Sequence, residues 1–369
     1  MRRTVVPYLI FLLLFGLGCE ALDIRPRAVG REGEIVIVTD SVSWKGELGD
    51  ALREQLSPYI GTLPAPEQLF QLRRVGIVNQ RSLDLLRKQK NIVFAAPLAD
   101  STQESRYLQA TLDPDALDAV MNGGTVAVIG RRDEWAQAQQ VYYLIGKDAA
   151  SIAKAVRDNG EGIRFNFSTI TRQRTQREMF EKGRQPEIEQ ALLDKHGFAV
   201  NAQHDYFVAM DTTNFVWLRR VVSADSWRSL FVWYTDELSP ADLTAEWVLA
   251  VRDRLTNAYV QGNMGGHVTV DHRRPLETEN IDFLDHFAFE IRGLWHMVGP
   301  DESGNEVEFG MGGPFLTYAF YDEDSGRTYV IDGMVFAPGY EKREFLRQME
   351  VISYTFRTAE ETAEAVAEE

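Results

Sequence analysis

The sequence predicts an α+β protein of two mixed halves, each a largely antiparallel sheet with helices packed against it, behind a signal peptide and a tether. Three observations predict this. Runs rich in Val, Ile, Tyr and Phe recur along the chain at strand length. A few amphipathic helical stretches lie between them. A charged helical stretch then separates an ordinary first half from an aromatic-rich second half that holds five of the seven tryptophans. About 350 residues after the leader suffice for two domains of usual size. The expected divisions are a signal peptide at 1–18, a tether at 19–33, an N-terminal half at 34–160, a charged helical connector at 161–196, a C-terminal half at 197–357 and an acidic disordered tail at 358–369.

In order, "EIVIVT" (34–39) reads as a strand and 45–56 as a helix, with Pro58 near its end. Strand-like runs follow at 70–78, 91–95, 125–130 and 139–145. Asp148 suits the N-cap of a helix from 149. In the stretch from 163 to 195, "TRQRTQREMFEKGRQ" carries basic residues every two to four positions, the pattern of a solvated helical face between two halves. Residues 214–222 and 226–235 form a hairpin across Ser223-Ala224-Asp225. A helix follows at 240–258, with Pro240 in its first turn and Leu243, Trp247, Val251 and Leu255 every four residues. Strands at 266–271 and 283–291 precede a second hairpin, 315–321 with 327–336, across "DEDSG". A helix at 342–354 closes the half. The last residues, "AEETAEAVAEE", have almost no apolar face and are expected to be disordered.

The start of the chain carries an address. Arg2 and Arg3 precede thirteen almost uncharged residues, 5–17. That is short of the ~20 residues that span a bilayer and fits the ~7–15 of a secretory signal. Cys19 is the only cysteine among 369 residues, so no disulfide framework exists within the chain. "GLGC" (16–19) resembles a bacterial lipoprotein signal, which implies cleavage before Cys19 and lipid attachment there. Leu17 departs from the usual pattern, which prefers leucine one position earlier. Several acyl chains hold a protein on a bilayer at about 0.8 kcal/mol per buried CH₂. The expected location is the cell envelope, on the periplasm-facing side of the outer membrane, with the membrane met only through the lipid. From Cys19 onward the chain holds 37 Lys and Arg against 55 Asp and Glu, a net charge of −18. That argues against nucleic acid and against adhesion to anionic lipid.

"NFVWLRR" (214–220), "RGLW" (292–295), "GMGGPF" (310–315), "APGYEKREFLRQ" (337–348) and the opening "GREGEIVIVTDSVSWKGELGDALRE" (30–54) resemble a domain-of-unknown-function family of Bacteroidota-type envelope lipoproteins. The resemblance covers nearly the whole chain after the leader. It implies an envelope lipoprotein of a Gram-negative cell and supplies no activity. The order helix, "HGFAV", paired strands, hairpin and closing helix also resembles a Mog1/PsbP-like α-β-α sandwich. That is a likeness of fold, which does not fix function.

Motifs for chemistry are sparse. All six histidines lie in the second half, with no HExxH, HxH or CxxC to gather a metal. There is no G-x-S-x-G. "YDEDSGRTY" (321–329) is half a calcium loop, and a hairpin turn explains it better. "NMGGH" (263–267) and "GMGGP" (310–314) match neither a phosphate loop nor a dinucleotide fingerprint, so no cofactor is expected. The reading is a non-catalytic binding module for an envelope protein or glycan. The alternative is a cofactor-free, hydrolase-like enzyme with its site in the second half. A ligand site is placed at Arg292, Trp295, Gly312, Gly313, Lys342 and Arg343. Arg supplies a fork of donors, Trp a stacking face, and the glycines a close backbone approach. Lys342 and Arg343 open a helix, where cations call for a nearby anion, either a ligand or an internal carboxylate. A purely structural reading instead pairs Arg292 with Glu290 or Glu344 and puts Trp295 in the core.

Overall fold

A computed structural model describes residues 23–223, 226–262 and 265–368. The leader and Cys19 lie outside the described residues, as do Ala224 and Asp225 of the first hairpin and Asn263 and Met264 of the first Met-Gly-Gly. The protein is α+β and has two domains, as expected.

The first domain alternates strands and helices. It runs β1 (Glu34–Val38), α1 (Ser41–Lys45), α2 (Glu47–Leu56), β2 (Gln71–Val75), α3 (Gln80–Leu86), β3 (Asn91–Pro97), α4 (Gln103–Thr111), α5 (Pro114–Met121), β4 (Ala127–Arg132), β5 (Gln140–Gly146) and α6 (Ala149–Glu181). Its sheet has the order β2-β1-β3-β5-β4, and every pairing is parallel except β4 with β5. The expected antiparallel sheet is therefore corrected for this half. The physical reason lies in the connections. Three short helices, α3 to α5, lie between runs read as bare strands, and intervening helices let strands return parallel. Each of the three has a capping side chain, from Asn79, Thr102 and Asp113. Helices on both faces also explain why β3 and β5 are buried at every residue. Leu48, Leu52, Ile152, Val156 and Phe167 of α2 and α6 cover one face, and Leu83, Leu86, Leu108 and Val120 cover the other.

The second domain runs α7 (Pro186–His196), β6 (Phe198–Ala199), β7 (Phe207–Asp211), β8 (Phe215–Ser223), β9 (Ser226–Thr235), α8 (Ala245–Tyr259), β10 (His267–Val270), β11 (Glu277–Phe283), β12 (His286–Pro300), β13 (Glu306–Asp322), β14 (Arg327–Phe336), α9 (Arg343–Ser353), β15 (Arg357–Thr358) and α10 (Ala359–Glu368). Eight strands form one antiparallel sheet, β10-β12-β13-β14-β9-β8-β7, with β11 also paired to β12. Helix α8 covers one face through Val248, Val251 and Leu255. On the other face lie Leu192 of α7, Leu346, Met349 and Ile352 of α9, and Met179 near the end of α6.

Three further expectations change. The supposed connector begins inside α6, a single 33-residue helix capped by Asp148. Its first turns pack on the first sheet, and its last turns reach the second core through Met179. The tether is docked from Pro26 onward, with bridges of Arg27 to Gln137 and Val29 to Gln89. The acidic tail is helix α10. Thr358 and Glu361 exchange hydrogen bonds at its start, a capping box written in the sequence as T-x-x-E.

The domains are also joined by the segment between α2 and β2. Leu63 from this segment is buried in the second domain's core. Among the described residues, no helix is long and apolar enough to cross a membrane.

Candidate aromatic groove

A cleft of about 900 Å³ lies in the second domain. It opens where the β7–β8 turn, the end of β9 and one flank of α8 meet. Thr244 caps α8 by accepting the Trp247 N–H at 3.2 Å. That cap sets the helix phase. Val248, Val251 and Leu255 then turn into the core, and Trp247, Arg254 and Ala258 fall along the groove. The spacing of Leu243, Trp247, Val251 and Leu255 thus found the core stripe, but Trp247 sits at its edge, half-buried.

The groove walls are aromatic and the rim is polar. The Trp233 and Trp247 rings lie 6.1 Å apart at 44°. The Arg254 guanidinium carbon is 5.5 Å from the Trp233 ring centre. Tyr259 stacks on buried Phe215 at 4.3 Å. Arg327 lies 4.5 Å over the Tyr234 ring, donates to Asp236 Oδ1 at 3.0 Å, and holds the carbonyl of His196 at 2.8 Å. Burial pushes the Tyr234 hydroxyl above its ordinary value, so it stays a neutral phenol. It donates to the Thr213 carbonyl at 2.8 Å. Trp233 and Tyr234 are buried, so the half-buried Trp247 and Tyr259 supply the accessible aromatic surface, bordered by amide, hydroxyl and carboxylate groups.

His196 is the second domain's most enclosed histidine of interest for chemistry. Its ring contacts Asp211 Oδ1 through Nε2 at 2.8 Å and Tyr234 Oη through Nδ1 at 3.2 Å. Partial burial raises the Asp211 pKa, but Lys195 and His196 outweigh it and hold the carboxyl below its usual range. The His196 side chain is fully buried and both ring nitrogens are engaged. It therefore braces the groove floor rather than facing a reactant. Among the described residues, no three His, Cys, Asp or Glu side chains are placed to hold a metal ion.

The ligand site placed by sequence at Arg292, Trp295, Gly312, Gly313, Lys342 and Arg343 does not assemble. The strand does not end at Gly293; β12 continues to Pro300. Arg292 and Trp295, an odd number of residues apart, consequently point to opposite faces. Trp295 is 1% exposed, stacked on Trp227 at 5.3 Å within the α8-side core. Arg292 faces the other side, donating to Glu290 at 2.6 Å with Glu350 3.8 Å away. Burial works against its charge, but Glu290 and Glu350 outweigh this and hold it firmly protonated. Glu350 also accepts from Arg172, which lies 3.6 Å over Tyr354, so this cluster ties α6 to α9. Gly312 and Gly313 lie within β13. A Cβ on Gly313 would stand 1.9 Å from the Val335 carbonyl oxygen, and one on Gly312 2.7 Å from that of Trp295. Close strand packing, not a ligand, requires these glycines.

Lys342 and Arg343 do attract an anion, and it is internal. Glu67 of the first domain accepts the Lys342 N–H at 2.7 Å and the Arg343 N–H at 2.9 Å. A carboxylate at a helix N-terminus meets both orphan donors and the dipole. The Arg343 guanidinium also donates to the Gln68 carbonyl at 2.6 Å. Glu67→Ala is expected to lose about 1–2 kcal/mol, the usual worth of a cap. Urea unfolding of E67A beside E67Q checks this. The glutamine retains one acceptor and should recover part of the loss, and an unchanged midpoint in E67A would remove the cap from the interface.

Sequence reasoning missed the groove because its residues come from four separate segments. The available signal was the clustering of Trp233, Tyr234, Trp247 and Tyr259.

Comparison with known proteins follows the same division. Residues 28–180 match the model of a domain of unknown function (DUF8532), and residues 185–355 match that of another (DUF4837). The chain joins two domains of unknown function. The groove lies within the DUF4837 segment, and α6 ends where the DUF8532 match ends. No curated protein matches the chain. Similar solved structures include the cyanobacterial PsbP of Synechocystis sp. PCC 6803, at 11% identity over 44% of this chain and 86% of that one, with a TM-score of 0.29. Another is the Saccharomyces cerevisiae Ran-binding protein Mog1p, at 10% identity over 44% and 90%, also with a TM-score of 0.29. Likenesses this distant carry no function to this chain.

Proposed function

We propose that this protein is a lipid-anchored envelope protein of the Bacteroidota type that binds a glycan, without catalysis, in the aromatic groove of its DUF4837 domain. The observation that carries the reading is the groove itself: Trp233, Trp247 and Tyr259 with a polar rim in about 900 Å³. Sugars present flat C–H faces edged with hydroxyls. Aromatic rings meet the first, and Asn214, Thr235, Asp236 and Arg254 can meet the second. The anchor rests on Cys19 and the leader before it. The tether, docked from Pro26, would hold the domains close to the membrane surface.

The test is a titration of intrinsic tryptophan fluorescence with soluble fragments of the cell's own envelope glycan, beside Trp247→Ala. Saturable quenching is expected, with affinity roughly two- to tenfold weaker in W247A, since stacking on one aromatic ring contributes about 0.5–1.5 kcal/mol. No saturable change with any fragment sinks the glycan reading. For the anchor, fatty-acid labelling that persists in Cys19→Ala would sink lipidation at that residue.

A further inference from the structure

A second cleft, of about 560 Å³, lies between the two domains. Glu32 faces it from the first domain and Lys182 from just beyond α6, with Gln203, Arg220, Arg343 and Glu344 from the second domain. Its carboxylates are largely engaged. Glu32 binds Lys90 and Arg174, and Glu344 binds Arg343 and Arg347. Lys182 pairs with Glu178.

Arg220 stands out. In the β8–β9 ladder it lies directly opposite Arg228, on the same pleat face as Leu218 and Leu230. Like charges directly opposite each other destabilise a sheet. Arg228 is only 6% exposed. Its guanidinium lies 3.9 Å over the Phe345 ring, and its Nε has no hydrogen-bond partner. Among the described residues, no carboxylate lies within ion-pair distance of it. The one acid nearby, Asp205, is taken by Arg220 at 2.6 Å. Burial is the main cause, and the Arg220 charge a further one, that pushes the Arg228 pKa down. Two guanidinium groups thus share one carboxylate: Arg220 lines the cleft, and Arg228 lies behind it, enclosed against Phe345. Gln203, 5% exposed and lining the same cleft, donates to the Met179 carbonyl and leaves its Oε1 without a partner.

Opposing two arginines in this way costs stability that the Phe345 and Asp205 contacts only partly offset. A bound oxyanion would resolve it, because guanidinium forks match carboxylate and phosphate oxygens. We propose that the interdomain cleft binds a small molecule through an oxyanion, phosphate or carboxylate, at the Arg220–Arg228 pair, with Gln203 Oε1 accepting from a donor on the same molecule. The position fits, since ligand sites favour domain junctions and volumes of about 300–1,000 Å³. The site is separate from the aromatic groove, so either can stand without the other.

The experiment is thermal unfolding of the intact chain with inorganic phosphate, with malonate, and with sodium chloride at matched ionic strength. Wild type, Arg228→Met and Arg220→Gln are compared. A saturable rise of about 3–6 °C with phosphate or malonate beyond the chloride control is expected in wild type. Both variants should lose that rise. Phosphate alone acting assigns a phosphate ester, and malonate alone a carboxylate. Without added anion, R228M should melt at or above wild type, because it removes a like-charge pair and keeps an apolar stem against Phe345. The proposal is overturned if neither anion gives a saturable rise or if R228M keeps the rise. It is equally overturned if R228M melts well below wild type without anion, since Arg228 would then be a structural residue.

Discussion

Replacing Asp332 with alanine should cost about 3–5 kcal/mol of stability. Asp332 in β14 and Arg252 in α8 form an ion pair whose side chains are both 0% exposed. Arg252 Nε donates to Asp332 Oδ2 at 2.7 Å, and the Thr317 hydroxyl donates to the same oxygen at 2.6 Å. The guanidinium carbon lies 3.7 Å from the Phe315 ring centre, and its Nη1 already lacks a partner. Alanine would leave a guanidinium in an apolar layer with no counter-charge. The double variant Arg252→Met with Asp332→Leu should recover most of the loss, because well-packed apolar residues replace buried ion pairs at little cost. Urea midpoints of the single and double variants test both statements. A loss under about 1 kcal/mol in D332A would mean that water or a shift of α8 relieves the charge. Because α8 carries Trp247 and Arg254, D332A should also blunt the fluorescence response of the groove.

Arg174→Ala should cost a similar amount, about 3–5 kcal/mol, because it breaks one buried network at four points. Arg174 is nearly buried in α6. It donates to Glu32 at 2.7 Å, to the Ala138 carbonyl and Asn91 Oδ1 at 2.9 Å, and to the Thr171 hydroxyl at 3.0 Å. These partners belong to the segment before β1, the loop before β5, strand β3 and α6 itself. One side chain therefore fixes the long helix to the sheet and to the docked tether. Burial lowers its pKa, and Glu32 opposes that shift. Arg174→Lys can reach only part of this set and should recover less than half of the loss. Urea unfolding measures the change, and limited proteolysis places it. Cuts in R174A should appear first between 23 and 33 and near 182–185, where α6 gives way to α7. An unaltered digestion pattern would show that α6 holds its place without this residue.

Much of the second domain was legible. The β8–β9 and β13–β14 hairpins, the core stripe of α8 and the closing helix α9 are all written in residues a few positions apart. The parallel first sheet was obscured for a specific reason. Its helices α3 to α5 are short, so their caps at Asn79, Thr102 and Asp113 carry more signal than their periodicity, and strands buried on both faces lose the alternation that marks a sheet face. The tail was misread because its apolar residues are alanines and a single valine, a composition that drew attention away from the Thr358–Glu361 capping box.

By itself the sequence determined what depends on near neighbours: strand and helix identity through most of the second domain, its turns, the cap at Asp148, and the signal pattern before Cys19. It also foresaw that the first turn of α9 needs an anion. Only the tertiary structure decided which anion. Glu67 lies 275 residues before Lys342 and reaches it because the segment after α2 packs into the second core. Likewise Arg292 and Trp295 are close in sequence yet separated by the sheet, because β12 runs straight through Gly293. A local pattern is stabilised by contacts within a turn or a strand pair, so it can be read residue by residue. Clefts and ion pairs between distant segments form only after burial has chosen which surfaces meet.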